Sequence, residues 1–168
     1  MDIKKYIINS RKTCVIFDYD LYNSETDFLD EAALLMKSGA DMIILSFKEK
    51  NDADTIKLGL KLRDLTSYYN AVFIVKKRAD IAKILKADGI FLESFDMPIK
   101  NAIDVLDSDF LIGTGYNSDN ADFMLLSDDE SCTKNIPVFY LYSKKQRKER
   151  IFFDKKPNDD ILSLINSI

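Results

Sequence analysis

Histidine is absent from all 168 residues. The chain therefore has no side chain that titrates unperturbed near neutral pH, and it lacks the commonest ligand for zinc, copper or iron. Acid–base chemistry falls to carboxylates, lysines, tyrosines and hydroxyls, and among metals hard, oxygen-bound Mg²⁺ stays open. Cysteine is nearly as scarce. Cys14 lies in an apolar strand pattern, Cys132 in a polar loop, and no C-x-x-C pair occurs, so two free thiols are expected rather than a disulfide or a zinc site. No apolar run approaches the roughly 18 residues that span a bilayer, and the polar start MDIKKYIINSRK lacks the apolar stretch of a secretion signal. A cytoplasmic protein without a membrane partner is expected. Positive charge is also short: 24 Lys and Arg against 28 Asp and Glu leave a net charge of −4, without the cationic excess of a nucleic-acid binder. Any anion site has to be local.

What is present suits one domain over 1–168, because 46% hydrophobic residues suffice for a core and no low-complexity segment interrupts them. Short apolar runs alternate with helical patterns. CVIFDYD (14–20) has a strand pattern, Ser24 and Asp27 have capping-box spacing, Phe28, Ala32 and Leu35 recur at helical intervals, and Gly39 stops the helix. DMIILSF (41–47) precedes a helix from about Asp52 to Tyr69 with Leu58, Leu62, Leu65 and Tyr69 on one stripe. AVFIV (71–75) leads into a helix carrying Ile81, Ile84 and Leu85. DGIFL (88–92) leads into one begun by Asp96 and Pro98, with Ile99, Ala102, Ile103 and Leu106 inward and Asp96 as its N-cap. Four such units imply parallel strands covered on both faces.

The second half is thinner. DFLIG (109–113), DFMLL (122–126), PVFYLY (137–142) and RIFFD (150–154) complete eight candidate strands, and Asn158 caps a last helix with Ile161, Leu164, Ile165 and Ile168 on one face. The expected fold is α/β, a compact, eroded (β/α)₈ TIM-type barrel with reduced helices in its C-terminal half. An open doubly wound sheet is the rival. The seventh and eighth strands are too close in sequence for a full crossover, so they are expected to pair as a hairpin or to leave the barrel incomplete. A flank stripped of helices would bare apolar strand surface, and a homodimer that covers it is expected.

SFKEK (46–50), FIVKKRADIAKILKADGIFLESFDMP (73–98), LIGTG (111–115) and the Thr133-Lys134 pair follow one another in an order that resembles the thiamine phosphate synthase and TenI family. The resemblance covers roughly residues 40–134. It implies a TIM barrel of thiamine (vitamin B1) biosynthesis that joins an aminopyrimidine diphosphate to a thiazole phosphate, with Mg²⁺ and basic residues holding the leaving diphosphate. Ser46, Lys48 and Lys50 stand where the family has Gln-x-Arg-x-Lys, so the cations are kept and the glutamine is lost. Lys76 and Lys77 stand where the family has Asn-Asp, which reverses the charge at a Mg²⁺ ligand. Asp96 keeps the second metal-ligand position, Ser94 replaces a glutamine, Gly115 replaces a serine with Thr114 the nearest hydroxyl, and Lys134 falls at the family's lysine of the sixth loop. The glycine-rich phosphate loops expected near the end are replaced by SKKQRKER (143–150).

These departures imply weak or absent synthase turnover. A phosphorylated small molecule would instead be bound by Lys48, Lys50, Lys76, Lys77, Ser94, Thr114 and Lys134, with Asp96 the one candidate Mg²⁺ ligand. If the chain is active, the resemblance implies a thiamine-phosphate diphosphorylase, a transferase. TenI-type tautomerase activity relies on histidine and is not expected. The other class is a non-catalytic ligand-binding or interaction protein on the same scaffold. Bland readings stand beside the sharp ones: Lys76 and Lys77 suit a solvated helix start, Asp18 and Asp20 suit strand-end acids, and SDDES (127–131) and the basic run suit exposed loops. Tyr68, Tyr69, Tyr140 and Tyr142 suit packing better than base stacking.

Overall fold

A computed structural model describes residues 3–127, 130–132, 134–141, 150–154 and 158–168. The apolar runs form eight parallel strands: β1 (Thr13–Asp18), β2 (Met42–Ser46), β3 (Val72–Lys76), β4 (Gly89–Leu92), β5 (Leu111–Thr114), β6 (Phe123–Leu126), β7 (Val138–Leu141) and β8 (Ile151–Phe153). They close in sequence order, with β8 returning to β1 through Cys14↔Phe152. Closure removes the edges that a doubly wound sheet would leave. The helices are α1 (Ile3–Asn9), α2 (Glu25–Lys37), α3 (Asp52–Tyr68), α4 (Ala79–Ile84), α5 (Ile99–Val105) and α6 (Asp159–Ile165). Among the described residues no helix falls between β5 and β8, and none is long and apolar enough to cross a membrane.

The expected hairpin or gap at the end of the barrel is not what forms, for β7 and β8 are parallel neighbours. The reason is the brevity of the strands. A strand of four residues is about 13 Å long, and a chain as short as residues 115–122, which join β5 to β6, reaches about 25 Å when extended. A neighbouring parallel strand can thus be reached without a helix. The flank left by the missing helices is partly covered by the chain itself: Met124 and Leu126 of β6 are buried in a cluster with Ala121, Cys132 and Ile136.

Alternation along each strand separates two cores. Cys14, Ile16, Met42, Ile44, Val72, Ile74, Phe91, Leu111, Phe123, Leu125, Phe139 and Phe152 fill the barrel, while Val15, Phe17, Ile43, Leu45, Phe73, Val75, Ile90 and Ile112 face the helices. Gly113 is required inside, since a Cβ there would lie 2.1 Å from the Phe123 ring. Helix α1, which the polar start concealed, closes the bottom with the fully buried Ile8. Ser24 and Asn158 cap α2 and α6 as their spacing predicts. Asp96 does not cap α5: that role falls to Pro98, and Asp96 instead accepts from the Glu93 N–H. Ile84 and Ile103 face solvent, because helices of one or two turns bury only their nearest side chains.

A repeated dipeptide fastens the N-terminal rim. Ala40-Asp41, Ala87-Asp88 and Ala121-Asp122 immediately precede β2, β4 and β6. Each aspartate reaches back to the preceding strand: Asp41 accepts from Thr13 (3.2 Å), Asp88 from Phe73 (2.7 Å) and Asp122 from Ile112 (2.8 Å). Arg63 pairs with Asp88 at 2.8 Å and Lys4 with Asp122 at 3.5 Å. An Asp88→Ala variant should lose about 1–3 kcal/mol of stability, because the Phe73 N–H and the Arg63 guanidinium both lose their acceptor. Asp88→Asn should lose less. Urea denaturation of the two variants checks this, and equal losses would assign the effect to charge alone.

Candidate functional site

Above the two apolar layers inside the barrel, the same alternation brings a third layer to the C-terminal mouth: Asp18, Ser46, Lys76, Glu93, Gly115, Ser127, Leu141 and Asp154. This layer is polar because strand ends meet water. A cavity of about 210 Å³ opens here, floored by Phe91, Leu125 and Phe152 and walled by Glu93, Glu130 and Asp154. Such a mouth is where (β/α)₈ folds place their ligands.

Lys76 is the cation of the layer. Its Nζ lies 3.3 Å from Glu93 Oε1 and 5.8 Å from the centre of the Phe91 ring, and its side chain is 17% exposed. Gly115 makes room for the partner, since a Cβ at that position would come within 2.3 Å of Glu93 Oε2. Lys77 leaves the strand with φ +70, in a three-residue turn closed by the Arg78 N–H on the Lys76 carbonyl at 2.9 Å. Such turns are rare and strained for a residue with a Cβ. The Lys77 ammonium lies 3.6 Å from Asp96 Oδ1 and 4.8 Å above the exposed Phe95 ring. Asp96 Oδ2 accepts from the Glu93 N–H at 2.8 Å, so both oxygens of this carboxylate have partners. Among the described residues no group of three or more Asp, Glu or Cys side chains is arranged to hold a metal ion.

The remaining sequence candidates lie apart from the cavity. Lys48 projects into solvent beside Glu49 at 3.6 Å, while Lys50 donates to the Tyr22 carbonyl at 2.9 Å and covers the Tyr19 ring. Ser94 is exposed on the β4–α5 turn. Thr114 is buried and donates to the Tyr116 carbonyl at 2.7 Å. Lys134 pairs with Asp119. None of the seven candidates lines the cavity itself, and Lys76 and Lys77 are the two that pair with carboxylates of the β4–α5 stretch, Glu93 and Asp96. Two loops are tied over this rim. Arg78 bridges Asp52 at 2.8 Å and Asp80 at 2.7 Å, and those bonds hold both carboxyls below the usual range. Residues 128, 129 and 142–149, which include most of the acidic and basic loops, lie outside the described residues. Arg150 is tied to the Arg11 and Asn9 carbonyls beneath the barrel.

Sequence reasoning missed Glu93, Glu130 and Asp154 as wall residues. For Glu93 and Asp154 the signal was available: each is the last inward step of its strand, as Asp18 and Lys76 are of theirs. Glu130 accepts from both the N–H and the hydroxyl of Ser127, which holds its carboxyl below the usual range. Asp18 behaves oppositely. Burial pushes its pKa up, with the charges of Asp20 and Asp154 adding to the rise, while a hydrogen bond from the Asp20 N–H and the charge of Lys76 oppose it. The stability Asp18 contributes is fully present below its ordinary pKa of about 4 and is lost as pH rises through the raised value. Asp18→Asn keeps an acceptor for the Asp20 N–H and should stabilise the fold at pH 7, with no gain at pH 3. Thermal melts at both pH values check this; a lower melting temperature at pH 7 would mean that Lys76 makes the Asp18 charge favourable.

Comparison with known proteins agrees with this architecture. A thiamine-phosphate synthase from Clostridium acetobutylicum is 34% identical over 70% of this chain and 52% of its own length. One from Fusobacterium nucleatum is 31% identical over 72% of this chain and 55% of its own. The chain therefore spans about half the length of these curated relatives. A thiamine phosphate pyrophosphorylase from Pyrococcus furiosus superposes with a TM-score of 0.77 at 20% identity, over 98% of this chain and 94% of that one, which extends the likeness of fold to the whole barrel. The family model described as thiamine monophosphate synthase matches residues 13–132, from the first strand through the loop that walls the mouth, and this chain belongs to that family.

Proposed function

We propose that this chain is a thiamine phosphate synthase-like protein that has given up Mg²⁺-dependent turnover and binds a phosphorylated small molecule at the barrel mouth without a metal. The observation that carries this reading is the 3.6 Å pair between Lys77 and Asp96. Under the family resemblance, positions 77 and 96 would each supply a carboxylate to Mg²⁺. Here one is an ammonium that neutralises the other, and the second oxygen of Asp96 is taken by the Glu93 N–H. This donor set does not fit Mg²⁺. A divalent ion beside Lys77 would meet charge repulsion of several kcal/mol in a partly dry site.

The mouth suggests a ligand with two unlike ends. Glu93, Glu130 and Asp154 around the cavity suit an amine or another hydrogen-bond donor, such as an aminopyrimidine. A phosphate would be repelled there and fits better at the rim, where Lys76 and Lys77 supply compact charges and Lys48 stands exposed in the neighbouring loop. The acidic wall favours a second reading as well: a non-catalytic site for a cationic or neutral ligand that carries no phosphate.

Pyrophosphate should bind the wild type equally with and without EDTA, and weaken as salt rises because screening shortens electrostatic reach to roughly 8 Å at 0.15 M. Lys76→Ala with Lys77→Ala should weaken it tenfold or more by calorimetry. No binding, or equal binding by wild type and variant, would favour the phosphate-free reading. Synthase assays with the pyrimidine diphosphate, the thiazole phosphate and Mg²⁺ should show no turnover above background; efficient turnover would overturn the proposal.

A further inference from the structure

We propose that a groove beside Asp41, at the end of the barrel opposite the mouth, binds the ammonium or guanidinium group of a small organic compound. The inference starts from the three Ala-Asp dipeptides of the N-terminal rim. Asp88 pairs with Arg63 at 2.8 Å and Asp122 with Lys4 at 3.5 Å, so in two of the three repeats the chain supplies a cation to the carboxylate that fastens its strands. Asp41 has none. Its Oδ2 accepts from the Lys12 N–H at 2.8 Å and the Thr13 N–H at 3.2 Å, while among the described residues its Oδ1 has no donor and no lysine or arginine forms an ion pair with it.

Where its two counterparts meet a side-chain cation, Asp41 borders a groove of about 310 Å³. Three helices end on this groove: Ser10 directly follows α1, Ser38 is the C-cap of α2, Asn166 is the C-cap of α6, and all three line it. Helix C-termini carry partial negative charge on carbonyls that lack intrahelical partners. The ends of α2 and α6 approach so closely that a Cβ at Gly39 would lie 3.7 Å from the Ile165 carbonyl oxygen. A carboxylate, helix-end carbonyls, hydroxyls and a side-chain amide thus surround the groove with hydrogen-bond acceptors, which suit a cation that donates. Ile165 and Ile168 add an apolar wall for a short alkyl chain. Because two backbone amides already fix the Asp41 carboxylate, a ligand has little left to order. Lys12 also lines the groove, exposed and without an ion pair among the described residues, and its charge weakens any cation bound there.

The test is an amide NMR titration of the full chain with n-butylammonium chloride, with potassium chloride and tetramethylammonium chloride at the same ionic strength as references. Butylammonium should shift the Lys12, Thr13 and Asp41 amides saturably at about millimolar concentration. The reference salts should not, since neither cation donates a hydrogen bond. Asp41→Asn keeps an acceptor for the two amides and should bind butylammonium at least tenfold more weakly, whereas Lys12→Met should bind it more tightly. Ser38→Lys puts an ammonium of the chain's own at the end of α2, as Arg63 and Lys4 do for their aspartates, and should abolish binding. If Asp41→Asn does not fold, the other two variants carry the test. Unmoved amides at 12, 13 and 41 in the wild type, equal shifts with the reference salts, or unchanged affinity in Ser38→Lys would overturn the site. Calorimetry of pyrophosphate at the mouth reads the other end of the barrel and succeeds or fails independently of this result.

Discussion

Closure of eight very short strands into a barrel is the constraint on which the rest of this structure depends. A closed parallel sheet has no edge, so strand residues point alternately into the barrel and out toward the helices or loops that cover it. Strands of three to six residues leave one or two inward positions for the apolar interior and a further one at the mouth. The chain fills the first two with side chains such as Ile44, Ile74, Phe91 and Phe139, and spends glycine where two large groups would collide, as at Gly113 against Phe123. Chemistry is thereby confined to the third layer and to the loops that follow it.

Much of the architecture was legible because hydrophobic alternation and helix caps are local. The eight apolar runs, the Ser24 and Asn158 caps and the thinning of helices after β5 follow from spacing alone. The parallel closure of β7 and β8 was not legible, since the usual length of a crossover presumes strands longer than these. Helix α1 was hidden by its lysines, although Ile7 and Ile8 now pack beneath the barrel. The Ala-Asp dipeptides stood in plain view before β2, β4 and β6, but their meaning depends on which strand lies alongside, and one sequence does not state that.

The candidate lysines were legible in their place and not in their partners. Lysines at strand ends pointed to the mouth, and Lys76 and Lys77 stand at the end of β3, each beside a carboxylate. Their partners come from the next loop, Glu93 and Asp96, which the sequence separates by more than a dozen residues and an entire helix. Summing cations along the chain thus overstated how many remain free. Lys50 and Lys134 are drawn to Tyr22 and Asp119 in the same way.

The two ion pairs at β3 and β4 also explain how two adjacent lysines are accommodated at the strand ends. A lysine beside a lone carboxylate makes a neutral pair that needs no external cation. The strained turn at Lys77 costs on the order of 1 kcal/mol, yet it is fastened on both sides by the Lys77 N–H on Phe91 and the Arg78 N–H on Lys76. Arg78 then anchors the same turn to Asp52 at the start of α3. The backbone of this turn is thus held by bonds to neighbours rather than by the side chain at 77. The barrel mouth is thus a frame fastened by backbone bonds, at which Lys76 and Lys77 each face a carboxylate.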